Sequence, residues 1–165
     1  MRKLPPLKFE QWNDMVPAFH NESDRGAAVL AAGFVDNLLE SFLRALVVSS
    51  KLADQLFGSF GPLGGFGQRI AVAYAFGFLP LGQHRDLDLI RRIRNYFAHH
   101  PLDASFATEA IAGLSEQLST WETAKNSKPS ITRQEQSRYA YLFACAMLSG
   151  YLHTRIEKKR AQGAS

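Results

Sequence analysis

The sequence contains one cysteine, no long apolar run and no alternating strand pattern, and each shortage removes a class of protein. Cys145 has no second cysteine to pair with, so an internal disulfide is excluded and a reducing, cytoplasmic setting is expected. No uninterrupted apolar run reaches the ~20 residues of a membrane helix, so no membrane span is expected. Residues 1–6 are basic but lead into no apolar segment, and no secretory signal is expected. No run alternates apolar and polar residues between hairpin signals, and no repeat of twenty or more residues recurs. Among the 165 residues, 46% are hydrophobic and 21% charged, which fits one folded domain and not a disordered chain. That domain is expected over 1–165, with its core at about 20–155 and basic tails at 1–8 and 155–165.

The net charge is +4 and the isoelectric point about 9.4, which invites a nucleic-acid reading. Arg2, Lys3 and Lys8 contribute +3, and Arg155, Lys158, Lys159 and Arg160 against Glu157 another +3. The body between the tails therefore carries −2. A polyanion-binding surface needs a basic patch on the fold itself, so the overall charge does not indicate one.

What is abundant is helical periodicity. A short segment, Phe9–Phe19, precedes Asn21-Glu22-Ser23-Asp24, a helix-start signal. Ala27, Ala31, Phe34, Leu38, Phe42 and Ala45 then recur at three- and four-residue steps, widened by Val35, Leu39 and Leu46. Asp36, Glu40 and Arg44 form a polar ridge on another side. The pattern predicts a packed helix of roughly six to eight turns. A glycine-rich stretch, Gly58–Gly67, breaks it, with Phe60, Leu63 and Phe66 expected to pin the turn. Ile70–Phe78 reads as a short helix buried all round, ended by Pro80 and Gly82. Asp86–Ala98 is a third helix, with Leu87, Ile90, Ile93 (or Arg94) and Phe97 inward and Asp88 placed to pair with Arg91 and Arg92. A weaker helix is expected at about Ser105–Glu122, a polar linker at Lys125–Ser130, and a final long helix from Thr132 with Tyr139, Leu142, Phe143, Ala146 and Gly150 inward. The expected fold is an all-α, single-domain bundle of about five to seven helices.

Several segments offer chemistry. The glycine-rich stretch lacks the Gly-Lys-Ser/Thr ending of a triphosphate loop and follows no strand, so it reads as a turn and no cofactor is expected. His84 and Asp88 share a helix face, but two ligands make a poor metal site, and an acidic helix N-terminus explains the aspartates. Cys145 between Ala144 and Ala146 reads as a buried small hydrophobe. The segment from Arg91 to Pro101 gathers cations, an amide and two imidazoles at a helix C-terminus. Asn95 and His99 share a face within reach of Arg94. An imidazole there could take a proton from a ribose 2′-hydroxyl while the guanidinium stabilises phosphate charge, without a metal. The alternative is structural: histidine capping the last carbonyls, and arginine or asparagine pairing with Glu22 or Asp24.

Arg94-Asn95-Tyr96-Phe97-Ala98-His99 resembles the Arg-x(4–6)-His motif of the HEPN superfamily. The blocks Glu22–Ala28, Phe34–Glu40, Gly61–Phe66 with Arg69-Ile70, Ala73–Ala75 and Asp86–Asn95 together resemble the mannitol operon repressor family. That likeness implies an all-α regulator of sugar-alcohol uptake or a related operon. With no helix-turn-helix evident, it is expected to act through a protein partner, as a homodimer, and not by sequence-specific DNA binding. Glu22, Asp24, Arg25, Asp36, Asp88 and Arg91 would form its binding or structural network. The superfamily likeness implies the alternative, a metal-independent endoribonuclease acting on RNA. His99 would then be the base, Arg94 the phosphate-stabilising cation and Asn95 the orienting group. His100 fits a one-residue-longer spacer, which leaves the base open between the two histidines.

Overall fold

A computed structural model describes residues 12–127 and 129–163, all helix and connecting turn with no strand among them. The elements are α1 (Trp12–Asn21), α2 (Asp24–Arg44), α3 (Ser50–Phe57), α4 (Phe66–Ala75), α5 (Leu81–His99), α6 (Glu109–Ser115), α7 (Trp121–Ser127) and α8 (Arg133–Gly163). The basic residues 1–8 lie outside the described residues.

Ser23 starts α2 by accepting the Gly26 N–H on its hydroxyl at 3.0 Å. The stripe read from the sequence is the buried one, with Ala27, Ala31, Phe34, Leu38 and Phe42 all in the core. By length and composition α2 resembles a membrane span, but its apolar face is covered by other helices of the bundle.

The largest neighbour of α2 is α8. Tyr141 donates its hydroxyl to the Ala28 carbonyl at 2.7 Å, Arg138 pairs with Asp24, and the Arg155 guanidinium lies 5.4 Å from the Phe42 ring centre. The positions rise together along both helices, so α2 and α8 run parallel. Parallel neighbours cannot be joined by a short turn, and α3 to α7 form the long crossover. The small buried residues Ala27, Ala28, Ala31 and Ala32 on α2, and Ala140, Ala144 and Cys145 on α8, allow close packing. Opposite them, Phe97 of α5, Phe106 and Tyr141 form a chain of rings with centroids 5.1 and 5.5 Å apart.

The glycine-rich turn folds back on the end of α3, with the Leu63 N–H on the Leu56 carbonyl at 2.9 Å. A Cβ on Gly61 would collide with the Gln55 and Leu56 carbonyls, so glycine is required there. Phe66 is buried and Leu63 partly so, as expected, but Phe60 projects fully into solvent. Arg69 holds the turn instead, donating to the Leu63 and Gly64 carbonyls at 3.0 Å each.

Several expected boundaries move. The segment read as Ile70–Phe78 begins at Phe66 and is buried on one side only, leaving Tyr74 and Phe76 exposed. Gly77, at φ 71°, closes it: its N–H reaches the Tyr74 carbonyl and the Phe78 N–H the Ala73 carbonyl. The third helix starts at Leu81, five residues before Asp86, because Pro80 serves as its cap and accepts the His84 N–H. Its first turn therefore holds no acidic residue, which overturns the helix-dipole account of Asp86 and Asp88. Asp86 is buried and accepts the Ser119 N–H at 3.0 Å and the Ser119 hydroxyl at 2.5 Å. That anchor lies in the break between α6 and α7, where one helix was expected. The inward face of α8 is shifted in part: Leu142 is buried as expected, with Ser137, Tyr141, Ala144, Leu148 and Leu152, while Tyr139, Phe143, Ala146 and Gly150 flank them. The basic segment from Arg155 is no loose tail but the last turns of α8.

Candidate functional site at the C-terminal half of α5

Ile90, Ile93 and Phe97 anchor α5 in the core, which turns Arg91, Arg92, Arg94, Asn95 and His99 toward the surface. Arg91 bonds Asp88, with Nη2 to Oδ1 at 2.6 Å, as the spacing predicted. Arg94 donates Nη1 to Asn95 Oδ1 at 3.0 Å.

The two histidines are in different situations. His100 ends the helix: its N–H meets the Tyr96 carbonyl at 3.0 Å, and its ring stacks on Tyr96 with centroids 4.2 Å apart. His99 is exposed and has no hydrogen-bond or ion-pair partner among the described residues.

Two open grooves of about 510 Å³ each meet at Asn95. One runs between α5 and α6, past Arg92, Tyr96, His99, Glu109 and Gln117. The other lies between α4 and α5, past Phe66, Gln68, Arg91 and Arg94. Arg94 and His99 thus sit in separate grooves, and Asn95 is the side chain common to both. Glu109 at the first groove is held by Arg133 at 2.6 Å, and that bond keeps its carboxyl below the usual range.

The other residues singled out in the sequence do not join this site. Asp24 is engaged elsewhere, accepting Gln134 at 3.0 Å, the Phe106 N–H at 2.9 Å and Arg138. Burial pushes its carboxyl up, but the Phe106 N–H, Arg138 and Gln134 outweigh that and hold it below its ordinary value. The expected pairing of Arg94 or Asn95 with Glu22 or Asp24 is therefore replaced by Arg138, which also donates to the Phe19, His20 and Glu22 carbonyls. Arg25 reaches the Pro101 carbonyl at 3.5 Å, linking the start of α2 to the turn after α5. Asp36 belongs to a third cluster, where Arg69 Nη1 lies 2.6 Å from it and Nη2 lies 2.7 Å from Glu40. Sequence reasoning missed Arg138 as a hub. Its signal was slight, an arginine one turn before a buried tyrosine. Arg69 carried a clearer one, a lone cation inside the apolar run from Phe66 to Ala73.

Cys145 is buried and its thiol is pushed well above the usual range by burial, so it stays protonated. Among the described residues no three His, Cys, Asp or Glu side chains converge as a metal site.

No known family and no curated protein matches the sequence. Solved structures match the fold, among them the following two. One is a possible transcriptional regulator, YggD, from Shigella flexneri 2a strain 2457T, with a TM-score of 0.69 at 15% identity, covering 90% of this chain and 99% of that one. The other is a chain of the MtlR–HPr complex from Escherichia coli, with a TM-score of 0.66 at 14% identity, covering 85% and 96%. The protein is thus an all-α bundle with the fold of these two chains over nearly their whole length.

Proposed function

We propose that the protein is a transcriptional regulator of the mannitol-repressor type, acting in the cytoplasm as a homodimer and through a protein partner, not by reading DNA itself. The observation that carries this reading is the fold shared with a chain crystallised in complex with HPr. The paired grooves on α5 support it, since they offer an open, mixed polar and aromatic surface. The local charge argues against a recognition helix: Arg85, Arg91, Arg92 and Arg94 against Asp86 and Asp88 leave only +2. Calorimetric titration with the HPr of the same organism tests the proposal, beside duplex DNA over a salt series. Saturable HPr binding, weakened by Arg92→Glu, is the expected result. Sequence-specific duplex binding without any HPr binding overturns it.

A second reading, metal-independent RNA cleavage, is favoured by one observation, the open and unpartnered imidazole of His99 in the same groove as Asn95, which Arg94 bonds from the neighbouring one. His100 is the less available of the two because its ring stacks on Tyr96 and its Nδ1 faces the Tyr96 carbonyl. This reading requires 2′,3′-cyclic ends from RNA incubated in chelator, lost in both Arg94→Ala and His99→Ala. Intact RNA with the unaltered protein removes it.

A further inference from the structure

Away from the α5 grooves, an apolar cavity of about 190 Å³ lies where α1, α2 and α8 meet. Phe19 of α1 and Ala31 of α2 form two sides, and Tyr139, Leu142, Phe143, Cys145 and Ala146 of α8 form the third. The Tyr139 and Phe143 rings are stacked, 21° from parallel with centroids 6.0 Å apart, and present a flat aromatic wall. Ala31 and Ala146 place only methyl groups where larger side chains would fill the space. Among the described residues no aspartate, glutamate, lysine or arginine lines the cavity, and the exposed His20 is the one ionisable base beside it. An apolar cavity of ~150 Å³ already accepts benzene, so this volume takes a one- or two-ring molecule. A charged ligand would lose its hydration without gaining a counter-charge.

We propose that this cavity binds a small neutral aromatic molecule of one or two rings, and that its occupancy clamps α1 onto the bundle. The second part follows from where the cavity sits. The end of α1 is attached by Phe19, buried against the core, and by Arg138, which takes the Phe19 and His20 carbonyls at 3.1 Å each. A molecule touching Phe19 on one side and α8 on the other gains its full contacts only with α1 docked, so binding favours that state.

Indole titrated into the full chain, followed by amide NMR and hydrogen exchange, tests this. The expected result is saturable shifts centred on Ala31, Cys145 and Ala146, with slowed exchange at Ala18–Asn21. Ala146→Phe, which fills the cavity, should weaken binding about tenfold or more. Ala31→Leu is the second filled variant should the first fail to fold, as judged by circular dichroism. Benzoate, of similar size but charged, should not bind. The proposal is overturned by the absence of saturable shifts, by equal binding in a folded filled variant, or by equal binding of benzoate. Binding that leaves α1 exchange unchanged overturns the clamp and marks an adventitious void.

Discussion

Arg69 and Asp24 show what single side chains do in this bundle. The Arg69 side chain is 7% exposed and lies between two carboxylates of α2 and two carbonyls of the glycine-rich turn. Arg69→Met leaves Asp36 and Glu40 without their shared cation, and a loss of about 3–5 kcal/mol in urea unfolding is expected. Arg44→Ala removes half-exposed pairs with Glu40 and Asp54 and the guanidinium 4.9 Å from the Phe57 ring centre, and should cost about 1–2 kcal/mol in the same measurement. Asp24→Asn should cost about 2 kcal/mol at pH 7, the scale of charge-assisted hydrogen bonds lost. Because the folded protein holds the Asp24 carboxyl below its ordinary 3.8, its contribution is present above that value and lost as pH falls through the lower folded one. Unfolding curves of the wild type and Asp24→Asn should therefore converge as pH drops below about 3.8. A difference that stays constant down to pH 2 would show that the carboxylate charge is not what matters. Asp36 and Asp24 were both legible as polar features of α2, but their partners lie 33 and 114 residues away and no local spacing points to them.

At the scale of elements, the long periodic helices were legible, while among the short ones α4 was read with shifted ends, α6 and α7 as one helix, and α3 was not set apart from α2. α2 and α8 each extend over many turns, so their apolar residues outvote any single local choice. The register of α8 was misjudged by part of a turn because Tyr139 and Phe143 are larger than the alanines beside them. Yet close packing against α2 selects the small residues Ala140, Ala144 and Cys145 for the interior. The break between α6 and α7 was illegible because its anchor, Asp86, comes from α5. Asp86→Ala should lower stability by about 2–3 kcal/mol and speed exchange of the Ser119 amide, while Asp86→Asn, which keeps one acceptor, should lose less. Unchanged Ser119 exchange in Asp86→Ala would mean that the turn closes without the carboxylate. Pro80 misled the reading for a different reason: it ends one helix in sequence but caps the next, whose first bonded N–H belongs to His84.

For the whole molecule, the charge map changes meaning once the chain is folded. The C-terminal cations ride on the last turns of α8, where residues 157–162 are exposed. Deleting residues 158–165 removes Lys158, Lys159 and Arg160, and thermal unfolding should shift by less than about 0.5 kcal/mol in stability. A larger loss would show that these turns pack on another surface, such as a second copy of the chain. The candidate site followed the same division. The polar and cationic character of the α5 end, the i,i+4 relation of Asn95 and His99, and the Asp88–Arg91 pair are short-range properties, and all were readable along the chain. Helix content, the single bundle, the buried face of α2 and the inert, buried Cys145 were likewise determined by local pattern. The sorting of Arg94 and His99 into two grooves, the division of labour between His99 and His100, and the parallel course of α2 and α8 depended on contacts between distant segments. Periodicity states which face of a helix is buried, but not which helix covers it. Only the packed structure matches each buried charge to its partner and each small residue to its neighbour.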